Sequence, residues 1–319
     1  MATDPIPEDS SLQPVDDRPT HPSGSDSIFE GPNGLRAGWR ILIFLLLFLA
    51  VLLFVVVGMA LIPPMRASLV ALQAKGPMTP IVVIIGEGSG AIAVLVAAIL
   101  MSRIERRPFA VYGLPFDRSS AKLFMIGLIS GFVALTVLIG LIAARHGYSI
   151  EGLAISSGEA IRYGLAYAFA FLLVGIFEEF TFRGYLQYTL ASGTGFWAAA
   201  FILAIVFGAA HLTNPGEAKF GALMAAGFAL VTVFSLNRTG SLWFAIAMHT
   251  TWDWGETFFY SVPDSGMMAR GHLLNAAFHG PKWLTGGSVG PEGSIFVFPV
   301  LVFWAVAIHF MFPARESKQ

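Results

Sequence analysis

Three stretches of this sequence place ionisable residues inside otherwise apolar text, and in each the spacing is helical. The first reads Glu178-Glu179-Phe180-Thr181-Phe182-Arg183. Glu179 and Arg183 are four apart with the acid first, the better order for an ion pair along a helix. Glu178 points about 100° away and meets Phe182 at i+4 instead of a base. The work is thereby divided. Arg183 holds Glu179, while Glu178 is left desolvated beside a like charge, a setting suited to proton transfer. The second stretch, Phe207-Gly208-Ala209-Ala210-His211, puts Phe207 and His211 on one face. The third, His249-Thr250-Thr251-Trp252-Asp253, stacks two ionisable groups one turn apart. A carboxylate and two imidazoles can form a hydrolytic centre: a base, a partner that orients water, and a group that steadies an oxyanion. The bland readings are a structural Glu/Arg pair, a packed histidine and a polar stripe inside a bundle.

The surrounding composition decides what elements carry these groups. Of 319 residues, 55% are hydrophobic and 12% charged, where a soluble domain carries about 25% charged residues. Mean hydropathy is +0.71. The sequence therefore predicts an all-α, polytopic transmembrane bundle. Apolar runs of about 20 residues give eight helices: 39–62, 80–101, 123–144, 162–190, 196–212, 220–236, 242–259 and 295–312. Ionisable groups at the centre of such helices cost about 2.5–3.5 kcal/mol each, so Glu178, Glu179, Arg183, His211, His249 and Asp253 are candidates for function. Glu178 and His211 lie at nearly equal distances either side of the turn at Gly193, hence within about 5 Å of one depth in antiparallel helices.

Residues 1–35 are acidic and rich in Pro and Ser, and are expected to be a disordered tail, with the membrane domain spanning 36–319. Within it, 162–260 is the expected reactive core and the glycine-rich connection 261–293 a candidate lid. Arg103, Arg106, Arg107, Arg118 and Lys122 concentrate positive charge on one connection, which orients both termini to the cytoplasm. With 19 basic and 20 acidic residues and no basic tract, no nucleic-acid partner is expected. The absence of cysteine excludes thiolate chemistry.

The ordered set Glu178-Glu179-x-x-x-Arg183, Phe207-x-x-x-His211 and His249-x-x-x-Asp253 resembles the three motifs of the CPBP family. That family comprises CAAX prenyl endopeptidases and bacteriocin-processing or immunity proteins, and its members are multi-helix intramembrane proteases. The resemblance covers Arg162 to Trp254, about a third of the chain, and Thr239-Gly240-Ser241-Leu242-Trp243 also looks like bacterial members. It implies an endopeptidase in a bacterial cell membrane, acting on peptide or membrane-protein substrates within the lipid bilayer. Glu178 would activate water, His211 would hold that water, and Glu179 and Arg183 would shape the site. His249, with the residue at 253, would stabilise the oxyanion.

One departure matters. The family commonly has Asn where this chain has Asp253, and an ionised Asp cannot donate to an oxyanion. Asp253 is then protonated, or orients His249, or ligates a metal. The family has been described both as metalloproteases and as metal-independent glutamic proteases. Zn²⁺ bound by Glu178, His211, His249 and Asp253 is the metal alternative; without a His-Glu-x-x-His run, the reading favours no cofactor. Competing functions are a catalytically silent immunity or scaffolding protein and a proton-coupled transporter. Glu87, in Gly86-Glu87-Gly88, is the best support for the transporter.

Overall fold

Apolar segments in a bilayer must satisfy their backbone internally, and this chain does so with helices. The computed structural model describes residues 29–31, 34–73, 78–213 and 219–313. The chain divides at Arg36 into two units. The described part of the first holds a minimal antiparallel pair, Glu30–Gly31 (β1) with Gly34–Leu35 (β2). The rest of the expected tail over 1–35 lies outside the described residues.

The second unit opens with Ala37–Ala60 (α1), in which only Arg40 and Phe44 are buried. Phe54 is 80% exposed, and a helix apolar all round with so little protein cover belongs against lipid. Pro63-Pro64 not only ends this span but starts Pro63–Gln73 (α2), since a missing N–H costs nothing in a first turn. Pro80–Ile104 (α3) follows, then Arg118–Ala144 (α4), opened by a capping box between Asp117 and Ser120. After Tyr148–Leu153 (β3), Ser156 and Glu159 cap Ser157–Glu179 (α5). This helix runs through a π-turn, Phe180–Tyr185, into Leu186–Thr194 (α6). Phe196–His211 (α7) and Lys219–Thr239 (α8) lead to Trp243–Trp254 (α9), extended by a second π-turn at Gly255–Phe259. Leu274–Phe278 (β4), Lys282–Thr285 (α10) and Val297–Met311 (α11) complete the described chain.

All eight expected helices are present. Five of the described helical stretches (α1, α3, α4, α5 with α6, and α8) are long and apolar enough to cross a membrane, whereas α7 and α11 are apolar but shorter. The seventh departs from expectation: the span read over 242–259 is a helix of 12 residues plus the π-turn, and it is buried from Phe244 to Asp253 save Thr251. It has almost no lipid face because its neighbours close on its backbone. A Cβ at Gly127 or Gly131 of α4 would collide with the carbonyl oxygens of Phe244 and Met248. One at Gly175 of α5 would sit 2.8 Å from that of Ile246. Small residues permit such approach between membrane helices.

The connection 261–293 also departs from a plain loop. It contains β4, α10 and a 3₁₀ turn at Pro291–Gly293. β4 pairs antiparallel with β3, with an irregularity between Ile150 and Gly152. Leu-Asn-Ala-Ala-Phe has no β-branched residue, so its strand character depends on the partner strand.

Candidate active site

Glu178 and Glu179 end α5, immediately before the π-turn. Turns of this kind inside helices concentrate at functional sites. From within it, Arg183 Nη1 comes to 3.4 Å from Glu179 Oε1. The guanidinium also lies over the Phe207 ring of α7, 4.2 Å from its centroid, so the base that holds Glu179 is itself packed by the second motif.

Glu179 does more than the sequence suggested. Its Oε1 is 2.9 Å from His249 Nδ1. A carboxylate accepts, so Nδ1–H donates, and the ring is fixed with Nε2 turned away. Nε2 lies 3.4 Å from Asp253 Oδ2 and 3.7 Å from Glu178 Oε2. The Glu178 side chain keeps 23% of its surface accessible and Glu179 none. One carboxylate can therefore reach water and the other cannot.

His211 closes α7. Its Nδ1 is 2.9 Å from the Phe207 carbonyl oxygen, which makes Nδ1 the donor and leaves Nε2 with its lone pair free to accept. A cavity of about 870 Å³ gathers these groups: Glu178, His211, His249 and Asp253 all line it, with Glu87 of α3 and Phe228 of α8. Phe228 packs edge-on to the His249 ring, 5.1 Å between centroids. The equal depth read for Glu178 and His211 thus becomes a shared cavity.

Residues 161–255 match the family model described as Type II CAAX prenyl endopeptidase, Rce1-like. Over that segment the chain is similar to Rce1-like proteins. The five apolar helices long enough to cross a membrane, together with this match, make the chain an integral membrane protein with a segment similar to CAAX-protease-like hydrolases. No curated protein and no solved structure matches the chain. Glu178, Glu179, Arg183, His211, His249 and Asp253 all fall inside the Rce1-like segment.

Two kinds of residue escaped the sequence reading. Asp264, Ser265 and Glu292 line the same cavity from outside the Rce1-like segment, and Glu256 sits buried in the π-turn after α9. Glu256 follows Asp253 by three residues in an apolar stretch, so the cost of an intramembrane acid was a usable signal. Nothing local marks Asp264 or Glu292. Burial, and next the charge of Glu292, push the Asp264 carboxyl up to about 8.

The alternative zinc set, Glu178, His211, His249 and Asp253, is not gathered closely enough here to share one ion. Zn²⁺ ligands at about 2.0–2.3 Å must lie within roughly 4.5 Å of one another. Among the described residues, the acids and histidines whose ligand atoms gather within 4.8 Å are Glu256, Asp264 and Glu292, and not Glu178, His211, His249 and Asp253.

Proposed function

We propose that the protein is an intramembrane endopeptidase that hydrolyses peptide bonds of membrane-associated or C-terminal-tail substrates with water activated by Glu178. The supporting observation is the single cavity shared by Glu178, His211 and a His249 whose orientation is fixed by Glu179. Glu178 takes a proton from water, while Nε2 of His211 accepts the water's other hydrogen and aims the oxygen lone pair. The hydroxide adds to the scissile carbonyl. With both ring nitrogens protonated, His249 donates to Glu179 through Nδ1 and to the oxyanion through Nε2. Glu178 then returns its proton to the leaving amine as the C–N bond breaks. Asp253, 3.4 Å from Nε2, holds the ring until the oxyanion forms. The test uses purified protein in lipid nanodiscs with two membrane-anchored reporter peptides, one prenylated and one not. Cleavage of either supports the reading, and the preferred one identifies the substrate class; cleavage of neither removes it.

Asp253 gives a sharper test. In this mechanism a metal has no part, and Asn at 253 supplies an N–H donor at nearly the same shape. Asp253→Asn is expected to keep activity within about tenfold of the parent or to raise it, and chelators are expected to leave activity intact. A dead variant together with chelator inactivation reversed by Zn²⁺ would return the site to metal chemistry.

The basic connection between α3 and α4 supports cytoplasmic termini. Because the chain has no cysteine, single-cysteine labelling reads this cleanly. Ser119→Cys, at the start of α4, should react with an impermeant maleimide only from the cytoplasmic face, and Glu151→Cys, beyond α4, only from the other. The reverse pattern inverts the topology.

A further inference from the structure

Beside the cavity lies a second group of acids that the proposed hydrolysis does not use. Ligand oxygens of Glu256, Asp264 and Glu292 all lie within 4.8 Å of one another. They come from three places in the chain: the π-turn after α9, the turn that follows it, and the 3₁₀ turn Pro291–Gly293. Two of them have neighbours of their own. Thr257 Oγ1 donates to Asp264 Oδ2 at 3.0 Å, and Ser265 donates to Glu292 Oε2 through N at 3.2 Å and Oγ at 2.8 Å.

Glu256 differs. Its side chain is 0% exposed, and neither carboxylate oxygen has a hydrogen-bond partner. The Trp252 indole N–H, one turn earlier, approaches it without reaching hydrogen-bond geometry. A buried carboxylate left without a donor or a counter-charge is strongly unfavourable. The adjoining cavity is lined by five carboxylates, Glu87, Glu178, Asp253, Asp264 and Glu292, against two histidines, His211 and His249, and no lysine or arginine among the described residues. Arg183 is already taken by Glu179.

We propose that Glu256, Asp264 and Glu292 bind one hard divalent cation of the Ca²⁺ type, which ties both ends of the 261–293 connection to the end of α9. All-oxygen, carboxylate-rich donor sets select hard cations over zinc or copper. Size favours the larger ion. Ca²⁺–oxygen bonds of about 2.4 Å let opposed ligands sit about 4.8 Å apart, whereas Mg²⁺ at about 2.1 Å requires them to close to roughly 4.2 Å. The three ligand oxygens lie within 4.8 Å of one another, a span that Ca²⁺ can bridge without movement. Both oxygens of Glu256 are free to bind, and Thr257 and Ser265 hold the other two carboxylates in place. Because Asp264 and Glu292 also line the cavity containing His249, occupancy fixes the position of that wall.

The experiment uses the full-length protein in nanodiscs, stripped with a chelator and dialysed, with CaCl₂ as the probe and MgCl₂ for comparison. Calorimetry should show one saturable calcium site. Tm should rise by about 5 °C at a hundredfold excess over Kd, and proteolysis within 264–292 should slow. Glu256→Gln and Glu292→Gln should abolish all three responses. In calcium-free buffer both should be at least as stable as the parent, since each removes one of several crowded like charges. Glu292 is only partly buried, so its variant remains informative should Glu256→Gln fold poorly. Glu178→Gln should keep the full calcium response. No calcium binding by the parent protein overturns the proposal. So does a response that survives in Glu292→Gln, or one that Glu178→Gln removes, which would put the ion at His249.

Discussion

Glu178→Gln is expected to lower kcat for peptide hydrolysis by about 10²–10⁴-fold, the usual weight of a general base, with KM and Tm nearly unchanged. An amide keeps the shape but has no lone pair basic enough to take the proton of water. The fold should tolerate the change because Glu178 is the partly accessible member of the pair and its contact with His249 Nε2, at 3.7 Å, is long. Single-turnover cleavage of the reporter, run beside a thermal melt, reads both quantities. A variant that retains activity within tenfold of the parent would assign the base to another residue, with Asp253 the nearest candidate.

Glu179→Gln should fail in the opposite way. Glu179 has no accessible side-chain surface and serves two partners, Arg183 at 3.4 Å and His249 at 2.9 Å. Neutralising it strands a guanidinium in the bundle, which costs about 3–5 kcal/mol. The Gln carbonyl can still accept from His249 Nδ1, so whatever protein remains folded should keep part of its activity. A double variant, Glu179→Leu with Arg183→Leu, separates the two jobs. Removing both charges should restore much of the Tm, yet leave the protein inactive because Nδ1 of His249 has lost its acceptor. If Glu179→Gln melts with the parent, the ion pair carries little of the fold. If the double variant cleaves normally, Glu179 does not position His249.

These contrasting outcomes come from two adjacent glutamates, and their separation shows how far a one-dimensional reading reaches. That Glu179 faces Arg183 follows from a four-residue spacing, which on a helix is contact. That Glu179 also fixes His249 could not be read, because the pair is 70 positions apart and depends on how closely α5 and α9 approach. Gly175 sets that approach, and Gly127 and Gly131 let α4 close on the other side of α9; in the sequence they were only glycines in apolar helices. The same packing turned an expected span at 242–259 into a short buried helix, since hydropathy cannot tell lipid from protein as the apolar neighbour.

What the sequence by itself determined was local and compositional. Scarce charge and long apolar runs required membrane helices, and helical periodicity paired Glu179 with Arg183, Phe207 with His211 and His249 with Asp253. Tertiary packing settled which of these groups share a cavity, which nitrogen of His249 is committed to Glu179, and that Glu292 meets Glu256 and Asp264 from the far end of the connection 261–293. The reason is physical. Contacts within a turn or two are fixed by the 1.5 Å rise and 100° step of the helix. Contacts between helices depend on side-chain volumes summed over whole interfaces, which no single spacing records.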